Sequence, residues 1–294
     1  MTLVRITITS FLLFAILTAT AQAQPQSPPG ASPGAATPDP NTPRTIEALD
    51  TVFLEEMTWL EVRDAMRAGK TTVIVSTGGI EQNGPYLALG KHNVILRATT
   101  EAIARKLGDA LVAPIVPFVP EGDIDPPSGH MKYPGTISLS QNTYKLLLTE
   151  IAESMRVHGF KHIILIGDSG GNQKGMEEVA RELSGKWAAN SGSKTTIHFI
   201  PEYYNYPAVQ NWVGQQGIQQ VDEGLHDDYA ISALMMTVDP GTVRMKQRIA
   251  KGKFSINGVN LAPAKKTIEM GRKIVEYRAQ VTVAAIKKAI GANR

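Results

Sequence analysis

Glu81, Asn83 and His92 stand on one glycine-punctuated stretch, Ile80-Glu81-Gln82-Asn83-Gly84-Pro85-Tyr86-Leu87-Ala88-Leu89-Gly90-Lys91-His92, directly behind the β-branched run Thr71 to Ser76. A carboxylate, an amide and an imidazole at the end of such a run can hold a divalent metal, move a proton or bind a polar ligand. Two further segments have the same character: Gly167-Asp168-Ser169-Gly170-Gly171-Asn172, and Gly224-Leu225-His226-Asp227-Asp228. Carboxylates with imidazoles form the ligand set that suits Zn, Mn or Fe, and an open coordination position leaves room for an activated water. Each acid also has a plainer use, because Asp168, Asp227 or Asp228 would cap the helix that follows it. Taken together with Glu81 and His92, they point to a site.

Three other features compete for a role. His130, beside Lys132 and Tyr133, could bind substrate, stabilise an oxyanion or brace its own loop. Ser169 lies in a Gly-x-Ser-x-Gly pattern between a strand and a helix, as a nucleophile elbow requires, and His226 follows it; no acid between them is defined. The same glycines lack both the Lys-Ser/Thr ending of a phosphate loop and dinucleotide spacing. His158, His162 and His198 have no carboxylate near in sequence and read as structural.

The elements that would carry these residues alternate. Thr58 with Glu61 forms a capping-box pattern for a helix over 58–67. The apolar run 71–76 reads as a buried parallel strand. Helical spacing over 94–107 ends at Gly108 and places His92 at or just before a helix N-terminus. Residues 111–119 read as a strand bent by Pro114 and Pro117, and 121–140 as a long Pro-, Gly- and Asp-rich functional loop. A helix over 144–158, a strand over 162–166, a helix over 173–190, a strand over 195–200, an aromatic loop over 202–212 and a helix over 229–237 follow. This order predicts an α/β fold, a three-layer α/β/α sandwich around a mainly parallel sheet. Trp212 with Tyr203, Tyr204 and Tyr206 would wall a ligand or serve a subunit interface.

Composition narrows the class. Thirty Lys and Arg against 27 Asp and Glu give a net charge of +3 in 294 residues, with no basic stripe interleaved with aromatics, so nucleic acid is not an expected partner. Arg5, the apolar segment from Ile6 to Ala19 and Ala21-Gln22-Ala23 read as a signal peptide over 1–23. The segment is shorter than the ~20 residues that span a bilayer, so no membrane attachment is expected after cleavage. The chain has no Cys, which fits an exported protein stabilised by its core alone. The Pro- and Ala-rich segment 24–44 reads as a disordered tether, and 45–294 as one folded domain.

The loop from Glu81 to His92 resembles the E-Q-H-G-P-H-L-P-L-G-T-D motif of the creatininase (creatinine amidohydrolase) family. Three further stretches agree in order: His130 to Leu139 with H-x-x-F-P-G-T-I-S-L, Gly167 to Asn172 with N-G-H-G-G-N, and His226 onward with H-A-G-E-x-E-T-S. The resemblance implies the creatininase fold, a hydrolase of C–N bonds other than peptides, a divalent metal, a small-molecule substrate and a homo-oligomer. In the family the first Glu, the next His and the closing Asp of the first motif bind two metals with a later His and Glu. Here Asn83 and His92 replace the second and third of these. Ser169 replaces the third-motif His, with Asp168 beside it, and the fourth-motif acids fall on Tyr229 and Ile231.

The resemblance therefore leads to an exchanged set: one ion on Glu81, His92 and Asp168, with His226 and Asp228 as acid and base, and His130, Asn83, Asn172 and Tyr133 contacting substrate. Two alternatives compete, a periplasmic binding protein that has lost its metal and a hydrolase using Ser169.

Overall fold

The computed structural model describes residues 38–189, 192 and 194–291. The signal-peptide reading and most of the tether lie outside these residues. The chain divides into a unit ending at Pro43 and a unit from Arg44 onward; the second holds every residue of the site described below.

Its centre is a four-stranded parallel sheet in the order β2-β1-β3-β4, with β1 at Thr72–Thr77, β2 at Ala110–Val112, β3 at His162–Gly167 and β4 at Thr196–Phe199. Every residue of β1 is buried, as expected where helices cover both faces. Val73, Val75, Ile163 and Leu165 face one way, against α3 (Gln141–Val157) and α4 (Gln173–Ala188), with α1 (Trp59–Arg67) at the margin of this core. Ile74, Ile164 and Ile166 face the other way, against α2 (Lys91–Leu107) and α8 (Ala264–Gly291). The three-layer α/β/α arrangement read from the sequence is the one observed. A further apolar cluster packs α5 (Tyr206–Gln215), α6 (Tyr229–Val238) and the short α7 (Met245–Ala250) against α8.

Several boundaries differ from expectation, each for a local reason. The strand expected over 111–119 stops at Val112 because Pro114 and Pro117 cannot donate to a ladder; only isolated bridges, Thr77 to Val116 and Val119 to Ser138, continue the pairing. The aromatic segment is mostly helix: Asn205 caps α5 by accepting from the Ala208 amide, and Pro207 fits the first turn. Trp212 stacks on Tyr277 of α8 at 4.9 Å between ring centroids and so packs inside the fold. The capping box holds, with Thr58 accepting from the Glu61 amide at 3.3 Å and Glu61 accepting from the Thr58 amide at 2.6 Å.

The strand order places the switch in connection direction between β1 and β3, since the chain leaves β1 toward β2 and returns to its other side. Ligands in open α/β sheets bind beyond the carboxyl ends at such a point. There Thr77 pairs with Gly167, so the loops carrying Glu81 and Asp168 leave the sheet side by side.

Candidate active site

The first loop is built from within by an asparagine. Asn83 is fully buried, and its Nδ2 donates to the carbonyls of Glu81, Ala88 and Leu89 at 2.8, 3.1 and 3.3 Å. Asn172 does the same for the strand end, donating to the Thr77 carbonyl, the Thr77 hydroxyl and the Gly78 carbonyl at 2.9–3.0 Å. Both amides bond carbonyls where strand becomes loop, two of which, Thr77 and Leu89, also accept the backbone amides of Asp168 and Glu81. The substrate contacts expected of them are therefore corrected: they brace the loops from the inside.

Glu81 is 2% exposed and stands at the centre of four basic groups. His92 Nε2 lies 2.8 Å from its Oε1, Lys91 Nζ 3.1 Å from the same oxygen, His130 Nε2 3.2 Å from Oε2, and His226 Nδ1 3.5 Å from Oε1. Burial pushes the Glu81 carboxyl up, but the hydrogen bond and charge of His92 and the ammonium of Lys91 outweigh it and hold the group below the ordinary carboxylate range.

His92 is in the first turn of α2 and joins Glu81 to Asp168, its Nδ1 lying 2.9 Å from Asp168 Oδ2. Asp168 is fully buried. It also accepts from Arg278 Nη2 at 2.8 Å and from the Tyr206 hydroxyl at 3.1 Å. Burial raises its carboxyl, and the Arg278 charge with the His92 bond brings it below its ordinary value. Both ring nitrogens of His92 are engaged by carboxylates at hydrogen-bond distance. Glu81, His92 and Asp168 do meet, as the sequence led us to expect, but as an internal hydrogen-bonded chain. The group whose donor atoms lie within 4.8 Å of one another is instead Glu81, His130 and His226.

Those two imidazoles face an open cleft of about 370 Å³, and their rings stack at 4.6 Å between centroids. His130 is fixed by its backbone, the amide donating to the Glu121 carbonyl at 3.0 Å. His226 Nδ1 lies 3.0 Å from the Gln82 carbonyl. Burial and the nearby Lys91 charge lower the His226 pKa, which favours the neutral ring that ligates metals. Glu121, Ser169 and Tyr204 complete the walls. Ser169 donates to Glu121 Oε2 at 3.3 Å. Burial and the adjacent Glu81 charge push the Glu121 carboxyl well above the ordinary range.

Other expected site residues stand elsewhere. Asp228 is the N-cap of α6, accepting from the Ile231 amide at 2.7 Å, so the plainer use of that acid is observed. Neither Asp228 nor Asp227 lines the cleft, and Tyr133 is 52% exposed and does not line it either. Tyr204, read from the sequence as a wall residue, does line the cleft, whereas Lys91, Glu121 and Arg278 belong to the site or its support and were missed. Glu121 carried a readable signal, an acid opening a long loop after an apolar segment; Arg278, on a helix 110 residues from Asp168, carried none.

Comparison with known proteins agrees with this architecture. The family described as Creatininase, creatinine amidohydrolase, matches residues 55–286. A creatinine amidohydrolase of Pseudomonas putida is 24% identical over 196 residues, 65% of this chain and 74% of its own length. A mycofactocin precursor peptide peptidase of Mycolicibacterium smegmatis is 30% identical over 109 residues, 35% of this chain and 41% of its own length. Among solved structures, a mutant type II creatininase superimposes with a TM-score of 0.58 at 22% identity, covering 81% of this chain and 98% of that one. A manganese creatininase gives 0.58 at 21% identity, again covering 81% and 98%. The chain belongs to the creatininase family of creatinine amidohydrolases.

Proposed function

We propose that this protein is an exported, metal-dependent hydrolase of C–N bonds in small, non-peptide amides. The observation that carries the reading is the meeting of Glu81, His130 and His226 at the floor of an open cleft. One carboxylate and two imidazoles, one of them held neutral, match the donors that a single Zn, Mn or Fe ion takes. The relatives support a divalent metal, one solved creatininase being a manganese form and a mutant one of Zn-Zn type. A bound ion of this kind supplies a low-pKa water and polarises a carbonyl.

The chain's own residues supply the rest. His92, fixed between Asp168 and Glu81, orients the Glu81 carboxylate, and an orienting partner of this kind typically changes metal affinity by about 10–100-fold. Tyr204 on the cleft wall keeps its proton, because burial and the nearby acids raise its pKa. It is therefore a hydrogen-bond donor for a developing oxyanion. His226, first read as an acid or base, is assigned to the ion because its ring belongs to the three-donor group.

The two alternatives lose support from geometry. A pure binding protein was to read its ligand with Asn83, Asn172 and His130, and both amides are turned inward. A Ser169 hydrolase needs an imidazole on the serine, whereas the Ser169 hydroxyl donates to Glu121. Export rests on Arg5 to Ala23 and the lack of Cys. Among the described residues no helix is long and apolar enough to cross a membrane. A homo-oligomer is proposed from the family resemblance.

The test is elemental analysis of protein purified from the periplasm without chelator, followed by a screen of cyclic and linear amides. Near-stoichiometric Zn, Mn or Fe with amide turnover is expected. A protein that stays metal-free after reconstitution yet turns over substrate would sink the metal assignment.

A further inference from the structure

Glu121 is a second acid of the cleft that the proposed reading leaves unused. It is 5% exposed, and its backbone is pinned on both sides: the amide donates to Ser138 Oγ at 2.9 Å and the carbonyl accepts from the His130 amide at 3.0 Å. The same element therefore sets the positions of Glu121 and His130. One carboxyl oxygen takes the Ser169 hydroxyl, while the other, Oε1, is buried with no hydrogen-bond partner.

The backbone opposite makes room for that oxygen. Gly79 has φ +159°, and a Cβ there would fall 2.2 Å from Glu121 Oε1. The first loop thus forgoes a side chain at the point where the acid enters. The Glu121 carboxyl also abuts that of Glu81 and shares the cleft with His130 and His226. The nearby ammonium, Lys91 Nζ, is paired with Glu81. A buried acid beside a carboxylate is costly unless it keeps its proton or a cation meets it.

We propose that Glu121 is a further protein donor to the ion held by Glu81, His130 and His226. It replaces, from the loop after Val119, acids that the family resemblance leads one to expect at positions now occupied by Tyr229 and Ile231. The inference rests on the metal reading above and names a ligand which that reading does not contain.

The test is calorimetric titration of the chelator-stripped mature protein with Mn²⁺ and with Zn²⁺, for the wild type, E81Q, E121Q and E121D, alongside thermal unfolding with and without each ion. E121Q, which loses a direct donor, is expected to bind more than about 100-fold more weakly than wild type, beyond the range of a change to an orienting residue, with E121D in between. In chelator, E121Q should unfold at or above the wild-type temperature, because it removes an acid that faces Glu81. Its ion-induced rise in Tm should be smaller, as linkage requires. Wild-type affinity in both E121Q and E121D would overturn the role of Glu121 and leave the three-donor site standing. A loss of stability in chelator with unchanged affinity would make Glu121 a structural residue. A wild type that binds neither ion would overturn the metal reading, and this inference with it. Should E121Q not fold, E121D decides alone.

Discussion

Arg278 Nη2 donates to Asp168 Oδ1 at 2.8 Å, with the two side chains 2% and 0% exposed. The same nitrogen also reaches the Tyr203 carbonyl at 3.0 Å, and the guanidinium lies over the Tyr203 ring at 4.2 Å. Through Asp168 and His92 this single pair ties the C-terminal helix to Glu81. A buried ion pair adds little net stability over an apolar substitute, but removing one partner strands the other. Arg278→Met should therefore destabilise the domain by about 3–5 kcal/mol, as should Asp168→Asn. The double variant should lose clearly less than the sum, measured by chemical denaturation; additive losses would mean the pair is not coupled.

The pH dependence of stability follows from the same acid. The folded-state pKa of Asp168 lies below its unfolded value of about 3.9. The sign is that of a depressed carboxyl: its contribution is complete above the unfolded pKa and is lost as pH falls through the folded one. The Tm difference between wild type and Asp168→Asn should hold steady above about pH 5 and shrink on acidification below about pH 4. A difference that grew on acidification would contradict the assignment.

Metal affinity should separate the two histidine classes. His130→Ala and His226→Ala remove proposed donors and should abolish stoichiometric uptake of Mn²⁺ or Zn²⁺. His92→Gln removes an orienting group and should cost about 10–100-fold while still permitting uptake. Equal loss in all three, by elemental analysis after dialysis, would return His92 to the ligand set that the sequence first suggested.

The buried asparagines should behave as structure. Asn172→Ala takes its side-chain donor from the Gly78 carbonyl and leaves the Thr77 carbonyl only the Asp168 amide; a buried unsatisfied group costs about 1–3 kcal/mol. The variant should unfold at lower temperature yet, where folded, keep wild-type metal affinity. A stable Asn172→Ala with altered substrate KM would restore a binding role.

Export has a direct readout. If the signal is cut after Ala23, the mature chain begins at Gln24, and N-terminal sequencing of a periplasmic fraction should find that residue. Retention in the cytoplasm with Met1 present would refute the reading.

Much of the architecture was legible in the residues. The β-branched runs at 71–76 and 162–166, the Thr58/Glu61 box and the glycine-ended helices carry their own periodicity and caps, which depend on near neighbours alone. They determined an α/β fold with chemistry at the strand ends, and the loops that hold Glu81, His130 and His226. The tertiary structure decided which acids and imidazoles face one another. His92 and Asp168 matched a ligand set by type, but packing placed each ring nitrogen of His92 against a carboxylate and set Arg278 on Asp168. Asn83 and Asn172 matched a polar pocket by type, but the carbonyls left unpaired where strand becomes loop took their amides. A side chain's orientation depends on partners tens of residues away, and local spacing carries no record of them.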